Sequence, residues 1–252
     1  MKRFLSVLFL TLLSHLFLFA TQSLGKLDFL RCEYLVTPLG VDVPTPRFSW
    51  RLPAHLNKQQ AYQVIVGTDS VAVANGTGGA WDSGKILSSE VLTVYAGKAM
   101  QPYTRYYWKV SVWDDANNNY TSAVSHFETG LMGMHNWKGS WISDTHDYRL
   151  KPAAYFRKAF DAGRKIRQAR AYIAVAGLYE LSINGTRVGD HRLDPAYTRF
   201  DRRTLYLTHD ITQLLQQGDN VVGVLLGNGW YNHQSTAVWN FDQAPWRGRP
   251  KF

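Results

Sequence analysis

The chain of 252 residues contains a single cysteine, Cys32. One thiol can form no intrachain disulfide and no Cys-pair zinc site. Arg31 stands where a lipid-attachment signal needs a small residue, so Cys32 reads as a buried structural thiol. Charged residues are also scarce, at 19%. The formal charge is +9, but the basic residues are scattered, and the densest cluster, Arg199, Arg202 and Arg203, is interleaved with Asp201. That pattern lacks the dense basic stripe of a nucleic-acid surface, and no nucleic-acid partner is expected. The H-E-x-x-H, G-x-S-x-G and phosphate-loop patterns are missing, which removes the usual zinc-protease, serine-hydrolase and nucleotide-binding readings. Nothing in the spacing of the 19 Asp and Glu residues marks a pair of the kind that flanks a scissile glycosidic bond. Spacing therefore marks no catalytic set and no metal site, and no cofactor is expected to be required.

Aromatic residues are abundant, at 14% with nine Trp and fourteen Tyr, within a hydrophobic fraction of 45%. This is a globular β composition. At the N-terminus, Lys2 and Arg3 precede a Leu- and Phe-rich run from Phe4 to Ala20, with small residues at Ala20 and Ser23. Residues 1–23 read as a secretory signal peptide. Ser6, Thr11, Ser14 and His15 interrupt the run, which is short for a membrane span. A periplasmic or secreted protein follows, with no membrane contact after cleavage.

Two β modules are expected after the leader, over residues 24–131 and 132–252. In the first, Arg47 to Leu52, Ala61 to Val66 and Thr104 to Trp113 alternate with period two. Strands spaced this way with no amphipathic helix between them imply an antiparallel sandwich. The run Pro102-x-Thr104-x-Tyr106-x-Trp108-x-Val110-x-Val112 resembles a fibronectin type III strand, with Tyr106 as a corner tyrosine bonded to a backbone group. In the second module, Ile183-Asn184-Gly185 marks a hairpin. Thr208 or Asp210 is placed to cap a short helix through Leu215, which Gly218 ends at positive φ. Val221 to Leu226 is apolar on both faces and is expected to be central and covered on both sides. The tail after Trp230 reads as loop, so this second, jelly-roll-like sandwich is expected to be incomplete, with an unpaired edge.

Three stretches carry a more specific signal. They run from Leu178 to Asp190, from Leu193 to Arg203, and over Gly227-Asn228-Gly229-Trp230-Tyr231. In order and spacing they resemble the N-terminal β-sandwich of bacterial α-L-rhamnosidases, inverting glycosidases whose catalytic domain is an (α/α)6 barrel. The fibronectin-like module before them fits the same family. The resemblance implies an all-β, non-catalytic N-terminal portion of a secreted enzyme acting on rhamnose-containing glycans, its partner being the C-terminal catalytic domain of the same protein. Some related modules bind rhamnose with calcium assistance on an aromatic platform. Here Tyr197 stands where many members have Trp. The resemblance makes Tyr197 a carbohydrate-binding candidate; Asn228 and Trp230, just past an apolar strand where binding residues often project, and Asp190, able to bond a hydroxyl or a calcium ion, complete the set, with calcium as an optional cofactor. A free-standing carbohydrate-binding or surface interaction protein, or the N-terminal part of another exo-glycosidase, is the alternative.

Overall fold

A computed structural model describes residues 27–56, 58–149, 152–236 and 239–252. The expected signal peptide lies outside the described residues. The chain divides into two compact units, Met1–Asn136 and Trp137–Phe252.

In the first unit, strands β1 (Asp28–Cys32), β2 (Arg47–Arg51), β3 (Ala61–Gly67), β4 (Trp81–Asp82), β5 (Ile86–Leu87), β6 (Leu92–Val94), β7 (Arg105–Trp113), β8 (Asn119–Thr121) and β9 (Ser125–Glu128) make two sheets. One has the order β1-β2-β6. The other is built on the β3–β7 pair, flanked by β4, β5, β8 and β9. Alternation decides what faces inward. On β7, Tyr106, Trp108, Val110 and Val112 are buried while their neighbours are half-exposed. On β2, Phe48 and Trp50 point inward between Arg47, Ser49 and Arg51. The Phe48 ring lies 4.6 Å from that of Trp108 and 5.6 Å from that of Phe127. Burial of each such ring contributes roughly 1.5–3 kcal/mol. Tyr106 is a corner tyrosine: its hydroxyl accepts from the Gln101 backbone N–H at 2.9 Å.

Alternation does not disclose α1 (Ser70–Ala74), a single turn of helix. Asp69 caps it by accepting from the N–H groups of Val71 and Ala72. Five residues are too few to show a helical period, and only the cap residue signals it.

The second unit holds β10 (Ala154–Ala162), β11 (Arg170–Ala174), β12 (Leu178–Ile183), β13 (Thr186–Arg187), β14 (Tyr206–Asp210) and β15 (Gly218–Gly227). One sheet has the order β10-β15-β12-β13, and β11 pairs with β14 in the other. Asn184 and Gly185 turn the β12–β13 hairpin at φ of 51° and 81°, both in the left-handed region that such a turn requires. Val175, Leu181, Ile183, Ile211, Val224 and Leu226 form the core.

Two expectations for this unit are corrected. Thr208 lies within β14 and Asp210 ends it, because residues 206–210 pair in register with β11; the Asp210 Oδ1 does accept from the Thr212 N–H at 2.9 Å, but at the entry to a 3₁₀ turn and not an α-helix. Asp210 also meets Arg170 at 2.8 Å. Only a 3₁₀ turn follows, Thr212–Leu214. The positive φ of Gly218, 87°, opens β15 instead of ending a helix. Strand β15 is central, as its apolar run implies, but it is covered on one face only. Val224 and Leu226 are buried, whereas Val221, Gly223 and Leu225 are half-exposed. The flanking strands place Tyr155, Arg157, Glu180 and Ser182 on that outer face, where long side chains partly screen the apolar ones from water.

Candidate functional site

The segment that leaves β15 builds the site. Gly229 has a φ of 51°, and a Cβ there would meet Leu178 Cγ at 2.8 Å and the Gly177 carbonyl carbon at 3.0 Å. Glycine alone lets this turn press against the start of β12, and Trp230 is fixed directly after it. Tyr197 comes from the loop between β13 and β14. Phe241 sits on a 3₁₀ turn, Phe241–Gln243, entered through Asn240 at a left-handed φ of 49°.

These rings converge. Tyr197 stacks on Phe241 with centroids 5.3 Å apart and planes at 28°. Trp230 meets Tyr197 edge-on at 6.5 Å and Phe241 at 5.7 Å. Tyr197, Trp230, Trp239 and Phe241 wall an open pocket of about 510 Å³. Three of them remain unusually open for large aromatic residues: Tyr197 is 45%, Trp230 41% and Trp239 70% exposed. An open pocket lined by aromatic side chains suits the C–H face of a small uncharged ring more than a charged group.

Of the four residues singled out by sequence, Tyr197 and Trp230 are brought together. Asn228 and Asp190 do not line the pocket. The Asn228 Oδ1 accepts from Asn232 Nδ2 at 2.7 Å, and the same amide donates to the Tyr148 carbonyl. Asn232 is fully buried, so Asn228 helps lock the loop that carries Trp230. The Asp190 carboxylate is 99% exposed, with His191 at 3.8 Å. Asp194 turns to His191 Nδ1 at 3.3 Å. Calcium takes six to eight oxygen ligands. Asp190 and Asp194 both face His191 while Asn228 faces Asn232, and no cluster of three or more His, Cys, Asp or Glu able to hold a metal occurs among the described residues.

Sequence reasoning missed Trp239 and Phe241. Their signal was density: Trp230, Tyr231, Trp239, Phe241 and Trp246 crowd a segment that otherwise reads as loop.

A polar pair supports the unit elsewhere. The Tyr179 hydroxyl and His209 Nε2 are 2.7 Å apart. Burial, with the Asp194 charge adding to it, raises the Tyr179 pKa. Burial also holds His209 below the ordinary imidazole value, against the pull of Asp194 and with the push of His191. The hydrogen bond between the two groups ties β12 to β14.

The chain matches two described domain families in succession. Residues 27–133 match the Rha78A-like, N-terminal immunoglobulin domain, and residues 164–252 match the alpha-L-rhamnosidase N-terminal domain. An alpha-L-rhamnosidase of Formosa agariphila is 34% identical over 77% of this chain and 23% of its own length. One from Alteromonas sp. (strain LOR) is 33% identical over 79% of this chain and 23% of its own length. The chain thus spans about a quarter of the length of the curated relatives it matches. Among solved structures, the alpha-L-rhamnosidase from Dictyoglumus thermophilum is 42% identical, with a TM-score of 0.76 over 82% of this chain and 25% of that one. The Aspergillus terreus enzyme is 28% identical, with a TM-score of 0.70 over 82% of this chain and 24% of that one.

Proposed function

We infer that this chain, which carries in order the two N-terminal domains of α-L-rhamnosidases, is the non-catalytic N-terminal portion of a secreted α-L-rhamnosidase. The whole protein removes terminal α-L-rhamnose from glycans, and the second unit holds a sugar on the Tyr197–Trp230 rings. The observation that carries the sugar reading is the open aromatic pocket, whose two sequence-derived members are joined by Trp239 and Phe241. A sugar ring laid there gains from contact between its C–H face and the rings. Rhamnose, a deoxy sugar with a methyl group, offers more apolar surface for such a pocket than a fully hydroxylated hexose. Few polar groups take part, so the affinity is weak, on the order of tens of micromolar to millimolar. Chemistry is assigned to the C-terminal part of the protein, where acid and base face the glycosidic bond.

Hydrolysis of a chromogenic α-L-rhamnoside tests the first part. The complete protein should release rhamnose, and the 252-residue chain alone should not. Activity confined to other aryl glycosides would transfer the protein to a different exo-glycosidase class. Export follows from the basic, apolar leader at Lys2 to Ala20. N-terminal sequencing of the periplasmic or medium fraction should begin near residues 20–24, and recovery of intact Met1 would contradict export by cleavage.

A further inference from the structure

The outer face of the β10-β15-β12-β13 sheet forms a groove of about 830 Å³ that the aromatic pocket does not include. Register places its side chains. Arg157 lies beside Gly223, Gly223 beside Ser182, and Ser182 beside Arg187, one residue from each strand. Neighbouring strands are about 4.8 Å apart, so the two arginines stand roughly 14 Å apart across the sheet. Gly223 has no side chain, and the Ser182 hydroxyl bonds its carbonyl at 3.3 Å. The middle of the row is therefore a low floor between two guanidinium groups. The next row places Tyr155 beside Leu225, with Glu180 on the far side.

Tyr155 is 83% exposed and is two residues from Arg157 on the same strand, so both face outward. Arg157 is exposed, and no hydrogen bond or ion pair engages it among the described residues. Arg187 is held in place by its bond to the His191 carbonyl at 3.1 Å. The one carboxylate in the groove, Glu180, has Arg192 at 4.0 Å. The groove is thus net positive, with an aromatic ring at one end. A guanidinium presents a planar fork that matches a carboxylate in two hydrogen bonds, and an exposed Tyr ring offers a face for a pyranose.

We propose that this sheet face is a second glycan site, separate from the Tyr197–Trp230 pocket, and that it binds an oligosaccharide bearing uronate carboxylates. One sugar ring lies on Tyr155, and a carboxylate engages Arg157 above the Gly223–Ser182 floor.

Titration calorimetry of the full chain at low salt tests this, with tetragalacturonate as the probe and its fully methyl-esterified form as the neutral control. The acid should bind, and the ester should bind at least tenfold more weakly. Arg157→Gln and Tyr155→Ala change exposed side chains and should each weaken the acid roughly tenfold. Tyr197→Ala should leave it unchanged, which separates this site from the rhamnose pocket. Absence of acid binding, equal binding of the ester, indifference to both Arg157→Gln and Tyr155→Ala, or loss in Tyr197→Ala would each overturn the proposal. So would protection of Tyr155 by another segment or a second copy that prevents binding.

Discussion

Asn184 and Asn220 face each other amide to amide, with Asn184 Nδ2 donating to Asn220 Oδ1 at 2.9 Å. Asn184 also donates to the Leu214 carbonyl and accepts from the Val221 N–H. Buried Asn220 donates to the carbonyls of Gln216 and Gly218. One pair thus fastens the β12–β13 turn to the start of the central strand. Asn220→Ala should destabilise the second unit by about 2–4 kcal/mol, since several buried polar groups lose partners at once. Asn184→Gly keeps the positive φ and should cost less, about 1–2 kcal/mol. Urea denaturation of the two variants checks both the values and the order.

Two buried tryptophans in the first unit should respond differently to the same change. Trp50 Nε1 donates to Gln59 Oε1 at 3.0 Å, and Gln59 is itself buried. Trp108 Nε1 is buried with no hydrogen-bond partner among the described residues. Trp50→Phe should therefore cost about 1–3 kcal/mol more than Trp108→Phe, because it leaves the Gln59 oxygen unpaired. Chemical denaturation followed by tyrosine fluorescence or circular dichroism measures the difference.

Cys32 is 1% exposed. Burial, with Glu33 adding to it, pushes its pKa up to about 12. At neutral pH the group is a protonated thiol without access to reagents. Native protein should leave an aromatic disulfide reagent unreacted over minutes, and guanidinium-unfolded protein should release one equivalent. Rapid reaction of the native chain would show that β1 opens locally.

His209 gives the second unit a pH dependence of definite sign. Its folded pKa lies below the unfolded value, so the unfolded chain binds more protons in the interval between them. Stability should hold above the unfolded imidazole value of about 6.5 and decline as pH falls through it toward the folded pKa. His209→Gln, which keeps a hydrogen-bonding amide near Tyr179 and does not titrate, should flatten that decline. Melting temperatures of both proteins at pH 7.5 and 5.0 test it.

Period-two alternation made β2 and β7 legible, because one face of each is committed to a core, whereas β3, buried on both faces, is an apolar run. The hairpin at Asn184-Gly185 was legible because its backbone needs positive φ. The segment after β14 was misread because Asp210 and Gly218 suit a helix cap and a helix end equally well as they suit strand ends. Long-range pairing of residues 206–210 with β11 decided the outcome. Similarly, the half-open face of β15 depends on what its neighbours present, which no single strand reveals. At the pocket, Tyr197 was legible through the family resemblance and Trp230 through its place just past an apolar strand. Trp239 and Phe241 join them through a loop with no period to read, and Asn228 looked like a ligand residue because its buried partner Asn232 is visible only in three dimensions.

The Tyr197–Trp230 pocket is the proposed sugar site of the second unit. Titration of L-rhamnose into the complete protein, with its hydrolytic site inactivated and with calcium either present or chelated, measures this directly. The expected result is weak saturable binding, on the order of tens of micromolar to millimolar, reduced roughly tenfold or more in Tyr197→Ala while the melting temperature is retained. No heat of binding under either calcium condition, or an affinity unchanged in Tyr197→Ala, would contradict it and leave the second unit as a structural support.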